Sequence, residues 1–195
     1  MSLANLAGDI ALDLETTGVD PGCSVLSIGA ATVDGLDSFY VGITLSSNHV
    51  EGLWDNESTL DWWRKQDKVA KLEAFTGRET LRVALHNFAD WLEYISAKHN
   101  RPVNIWGNGA GFDLPILAAA YKACEFHRPW EYKQERCFRT VKALFPQVAA
   151  PAFVGTPHIA INDAAHEARH LALILEYMAK IDSHYNDGKV AKNVS

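Results

Sequence analysis

The sequence predicts a single α/β domain, a mixed sheet with helices packed on its faces. Three observations carry that expectation. The first 45 residues alternate apolar runs with turn residues, as three consecutive strands with short connections would. The segments that follow show the 3.6-residue apolar period of helices. A further buried strand pattern then falls between two of those helices, which implies strands added in parallel to an antiparallel meander. With 195 residues, 48% of them hydrophobic, the chain suffices for one substantial core and is short for two. The core is expected over about residues 9–180.

The strands of the meander are read from "DIALDLE", "SVLSIGAATV" and "FYVGITL", separated by "TTGVDPGC" and "DGLDS". A Trp-rich helix, "TLDWWRKQDKVAKLEAF", comes next, with Leu60, Trp63, Val69 and Leu72 placed to face a core. "RETLRVALHNFADWLEYISAKH" is a clearer amphipathic helix through Leu81, Leu85, Phe88 and Leu92. "PVNIWGNG" reads as a buried strand ending in a glycine turn. "GFDLPILAAAYKACEF" reads as the helix leaving it, with Pro115 tolerated in the first turn. "RCFRT" is expected to add a last small strand before "VKALFP". The final helix is expected from Asn162 to Lys180, followed by a loose tail over 182–195.

Composition narrows the function. No run approaches the roughly 20 apolar residues of a membrane span, and the N-terminal residues lack the basic and apolar segments of a secretory leader, so the cytoplasm is the expected location. Cys23, Cys124 and Cys137 are odd in number and show no CxxC spacing, against a disulfide framework or a structural zinc site. The net charge of −6 argues against a general affinity for nucleic acid, so any such partner must be gripped locally.

Candidates for that grip are carboxylates. Asp13 and Glu15 stand two apart at the end of the first strand, so both project from one face while Leu12 and Leu14 project from the other. Two ionised carboxylates about 5 Å apart repel by roughly 3 kcal/mol at an effective dielectric of 20, a cost that a divalent cation removes. The competing explanation is that both are turn residues beside "TTG". Asp9 shares their parity but lies roughly 13 Å from Asp13 along an extended strand, too far to share a metal.

Asp113, between a predicted strand and helix, has a competing role as an N-cap; Asp163, in the first turn of the last helix, has one as a partner of the helix dipole. His158 precedes Asp163 by five residues on the loop entering that helix. A histidine, with its ordinary pKa of about 6.5, suits the removal of a proton from water. His166 and His170 are four apart and equally readable as surface residues.

Taken together, "DLETTG", "GNGAGFD" and "HIAINDA" resemble the three motifs of the DEDDh 3′→5′ exonucleases of the ribonuclease H-like superfamily, over roughly residues 9–180. "DWWRKQ", "WGNGAGFD" and "RCFRTVKALFP" are further similar to the small RNase T-like group that includes the mycobacterial-type exoribonucleases and phage exonuclease A. The resemblance implies a ribonuclease H-like, five-stranded mixed sheet. It implies that Asp13, Glu15, Asp113 and Asp163 hold two Mg²⁺ or Mn²⁺ ions, with His158 as general base, in releasing nucleoside 5′-monophosphates. It also makes Leu14, Thr16 and Thr17 candidate contacts to the 3′ end, with Trp63, Gln66, Trp106 and Asn108 as weaker ones. Core packing is an equal expectation for the two tryptophans. Single-stranded nucleic acid or 3′ overhangs are the implied partners, and a homodimer the implied assembly. A non-catalytic nucleic-acid-binding or assembly module and a hydrolase of short oligonucleotides are the alternatives.

Overall fold

The computed structural model describes residues 8–109 and 111–192, with side chains described through Ile181. Its five-stranded sheet comprises β1 (Ile10–Thr16), β2 (Val25–Thr32), β3 (Ser38–Gly42), β4 (Ile105–Gly107) and β5 (Glu135–Cys137), in the order β3-β2-β1-β4-β5. The first three strands form an antiparallel meander, and β4 and β5 add to β1 in parallel. This is the mixed sheet the sequence implied.

The period of two along β1 sorts the layers. Ile10, Leu12 and Leu14 join the main core beneath α4 (Leu81–His99) and α5 (Asp113–Ala123). On the other face Ala11 packs with Ala31 and Ala168 of α7 (Ala160–Lys192), and Trp106 and Phe138 pack with Leu171 and Ile174 farther along that helix. Asp13 and Glu15 have the parity of Ala11. α4 buries Leu81, Leu85, Phe88 and Leu92 as its period predicted. Thr80 caps its N-terminus by accepting from the Val83 amide, and Asn100 ends it in a left-handed conformation.

Four elements differ from expectation. β3 stops at Gly42, and the chain turns into α1 (Leu45–Val50). There the buried Asn48 side chain accepts from the Val25 amide at 2.8 Å and donates to the Val25 carbonyl at 2.9 Å, an anchor available only to a helical turn placed beside β2. The Trp-rich segment is two helices, α2 (Glu57–Arg64) and α3 (Lys68–Phe75), because Asp67 caps the start of α3 by accepting from Val69 and Ala70. That break rotates the buried face to Ala70 and Ala74, leaving Val69 and Leu72 exposed at 57% and 62%. Of the predicted last strand "RCFRT" only Arg136 and Cys137 are extended, as the end of β5. Phe138 begins α6 (Phe138–Leu144), whose inward ring packs on α7. Finally, α7 starts at Ala160 and continues to Lys192, past the predicted end at Lys180 and into the stretch expected to be loose, which contains no proline to stop it. Residues 193–195 of the expected tail lie outside the described residues. Among the described residues no helix is long and apolar enough to cross a membrane.

One contact fixes where α7 begins. Gly29 pairs with Asp13 across the β1–β2 ladder, and the first turn of α7 lies directly on it. A Cβ at position 29 would fall 2.2 Å from the carbonyl carbon of Ala160 and 2.4 Å from the Ile161 nitrogen. Because the obstruction is backbone rather than a movable side chain, Gly29→Ala is expected to lower stability by about 1–3 kcal/mol. A urea unfolding midpoint measured for both proteins checks this, and an unchanged midpoint would contradict it.

Candidate active site

The sheet's carboxylate end opens into a cleft of about 550 Å³ lined by Asp13, Leu14, Glu15, Thr16, Ser58, Thr59, Trp62, Trp63, Asn108, Phe112, His158, Asp163 and Glu167, among others. β1 delivers Asp13 and Glu15 to the floor, and a register shift between Glu15 and Thr16 ends regular pairing with β2 at that point. Such bulges re-aim side chains beside functional sites. The Thr16 hydroxyl then turns to the Gly18 carbonyl at 2.6 Å.

Asp113 is the first residue of α5 rather than its N-cap, which is Phe112. Its carboxylate accepts from the Leu14 amide at 3.3 Å and from the Asn108 amide at 3.1 Å, so it ties β1 to the end of β4. Asp163 accepts from the His158 amide at 2.7 Å, closing the loop that enters α7. His158 itself adopts φ 62°, a left-handed conformation that a glycine would take more easily. Donor atoms of Glu15, His158 and Asp163 lie within 4.8 Å of one another.

The electrostatics follow from crowding. Burial, then Asp113, Glu15, Glu167 and Asp163, push the Asp13 carboxyl well above the usual carboxylate range. Burial, with Asp163 and Asp113, pushes Glu15 up to about 8. Asp113 rises to about 6 by burial, held back by the amides it accepts from and by Arg139. Asp163 is raised by burial against the opposing pull of the His158 amide and ring. Oxygen donors brought together at this cost fit hard divalent cations such as Mg²⁺ or Mn²⁺.

Among the sequence-predicted contacts, Leu14, Thr16, Trp63 and Asn108 line the cleft. Trp63 is a wall rather than a platform, since it is buried and donates its indole N–H to the Thr16 carbonyl at 2.8 Å. Three others lie outside the lining. Thr17 is buried with its hydroxyl on Asp55 at 2.8 Å. Gln66 bonds back to the Trp62 carbonyl at 3.0 Å and is not among the lining residues. Trp106 packs against α7 and donates to Asp9 at 3.0 Å. Asp9, excluded on distance, is a structural carboxylate that also accepts from Arg101 and Asn104 at 2.8 and 3.0 Å.

Among the lining residues that sequence reasoning did not reach, two stand out. Trp62, 40% exposed, sets its ring edge-to-face with His158 at 5.0 Å between centroids. Its signal was "WW" in an amphipathic helix, where only one of two adjacent rings can face the core. Glu167 lies one helical turn beyond Asp163, the i,i+4 spacing that shares a face. It is 5% exposed, accepts from the Asn108 side chain at 2.6 Å, and is pushed up to about 8 by burial and by Asp113.

These raised carboxyls set the pH dependence of the metal-free protein. A carboxyl that holds its proton more tightly when folded favours folding below its unfolded value, and that contribution is lost as pH rises through its folded value. Without divalent cation, stability is therefore expected to fall from about pH 5 to pH 8, the window set by Asp113 at about 6 and Glu15 at about 8. Glu15→Gln is expected to flatten that slope. Thermal melts in chelator across this range test the point, and a wild-type midpoint that rises toward pH 8 would contradict it.

Comparison with known proteins agrees with the resemblance read from the motifs. The nuclease domain of 3′hExo, described as a DEDDh family member bound to rAMP, has a similar fold: TM-score 0.59 at 12% identity, covering 86% of this chain and 90% of that one. No curated protein matches the chain in sequence. The family model described as the 3′-5′ exoribonuclease Rv2179c-like domain matches residues 8–175, a span that contains Asp13, Glu15, Asp113, His158 and Asp163, and the chain belongs to that family.

Proposed function

We propose that the protein is a metal-dependent 3′→5′ exonuclease that trims single-stranded nucleic acid or a 3′ overhang to nucleoside 5′-monophosphates. The observation carrying this reading is that Asp13, Glu15 and Asp163 line one cleft beside His158 and the half-open face of Trp62, with the Asp113 carboxylate held against the amides of two further lining residues, Leu14 and Asn108. The four carboxylates would hold two divalent cations, which when bound supply positive charge to the oxygens on either side of an in-line phosphoryl displacement.

The chain's own groups account for the rest. His158 overhangs the carboxylates and is the base that takes a proton from the attacking water as its oxygen bonds to phosphorus. The bond from phosphorus to the 3′-oxygen of the preceding nucleotide breaks, and that oxygen leaves with a solvent proton as the new 3′-hydroxyl. Leu14 and Phe112 offer apolar contact and Trp62 an aromatic face to the terminal nucleoside, with stacking worth about 1–3 kcal/mol. The exoribonuclease description of the family and the rAMP of the structural neighbour make RNA the first substrate to compare with DNA. A homodimer is extended to this chain on family resemblance alone, and a cytoplasmic location remains the expectation read from the sequence composition.

The left-handed backbone at His158 separates chemistry from folding. His158→Gly relieves the backbone cost and keeps the amide that Asp163 accepts, so its unfolding midpoint is expected to equal or exceed that of the wild type. Its turnover is expected to fall about 10²- to 10⁴-fold, the usual contribution of a general base. Degradation of matched 5′-labelled RNA and DNA strands with Mn²⁺, with Asp13→Ala as a second variant, checks this. Degradation insensitive to both substitutions, or none by the wild type, would contradict the proposed function.

A further inference from the structure

Glu167 is an acid that the four-carboxylate motif leaves unexplained. It is buried to 5% exposure on α7, and its carboxylate has one oxygen committed: Oε1 accepts from Asn108 Nδ2 at 2.6 Å. The other, Oε2, is buried with no hydrogen-bond partner, and so is Asn108 Oδ1. Since Asn108 must present its NH₂ to Glu167, its carbonyl oxygen is fixed as the orphan. Glu167 and Asn108 both line the cleft, and each holds one buried, unsatisfied acceptor oxygen in its wall. Unmet buried acceptors are costly, and more so when charged. What satisfies them must donate hydrogen bonds or carry positive charge.

The surroundings say which. Glu167 and Asn108 line the same cleft as Asp13, Glu15 and Asp163, and the Asn108 amide donates to the Asp113 carboxylate at 3.1 Å, so the pair shares a cleft wall with the carboxylates expected to hold cations. A hard cation such as Mg²⁺ keeps several of its waters when protein-bound, and each of those waters is a strong donor. We propose that Glu167 Oε2 and Asn108 Oδ1 accept from the hydration shell of a divalent cation seated among the neighbouring carboxylates, which makes Glu167 a positioning residue of the cation centre. This rests on the metal-dependent reading of the site. It adds to that reading a fifth carboxylate that retains the ions without belonging to the motif.

Glu167→Gln is close to isosteric, keeps an acceptor for Asn108 and removes the charge. Thermal melts of wild type, Glu167→Gln and Asp13→Asn, titrated with Mg²⁺ or Mn²⁺ at pH 7.5 in the absence of nucleic acid, read cation binding independently of turnover. In metal-free buffer the Gln variant is expected to melt at least as high as the wild type, because a crowded, half-unpaired charge is gone. The cation concentration giving half-maximal stabilisation is expected to rise about 10-fold or more, as for other groups that orient a metal from behind its direct ligands. An unchanged half-maximal concentration would overturn the role of Glu167 while leaving the cation centre standing. A Gln variant that melts lower without metal, or fails to fold, would also overturn it by showing the carboxylate to be a net structural support. A wild type that no cation stabilises would remove the centre as a whole.

Discussion

Repulsion among buried carboxylates is the constraint on which the structure depends. Asp13, Glu15, Asp113, Asp163 and Glu167 come from the end of one strand, β1, and the N-terminal turns of two helices, α5 and α7, and each is pushed toward its protonated form, first by burial and for most of them also by the others. The protein holds them together with rigid neutral groups. Backbone amides of Leu14, Asn108 and His158 satisfy Asp113 and Asp163, while the larger apolar layer under α4 and α5 anchors β1 on the opposite face. Such an arrangement favours positive charge, because a bound cation would convert the repulsion into attraction.

The close approach of α7 to β2 places Asp163 and Glu167 in that cluster. Without a side chain at Gly29 the first turn of α7 settles directly on the sheet, next to the residue paired with Asp13. The loop before it is drawn tight enough to hold His158 in a left-handed conformation, with its amide on Asp163. The same packing puts one turn of α7 over the end of β4, where Glu167 meets Asn108. Helix position, histidine conformation and the two orphan acceptors are consequences of one contact.

Much of this was legible in the sequence, for reasons that differ by element. Strand parity alone put Asp13 and Glu15 on one face and Leu12 and Leu14 on the other, and chain reach alone excluded Asp9, which the structure uses in a buried pair with Arg101. The 3.6-residue period found α4. Local signals failed where tertiary partners decide: the Asn48 anchor that makes α1, and the Asp67 cap that splits the Trp-rich helix. Residue type alone also did not show that the polar side-chain atoms of Thr17 and Trp106 engage Asp55 and Asp9. Glu167 was within reach of the i,i+4 rule. Its partner, Asn108, lies 59 residues away in the sequence, so only the fold shows that the two meet.

The most direct test of the central claim, that these carboxylates are gathered to hold divalent cations, is anomalous scattering from crystals soaked in Mn²⁺. The account predicts manganese peaks among Asp13, Glu15, Asp113 and Asp163, beside His158. Crystals that show no manganese there, at concentrations at which the protein degrades nucleic acid, would contradict it.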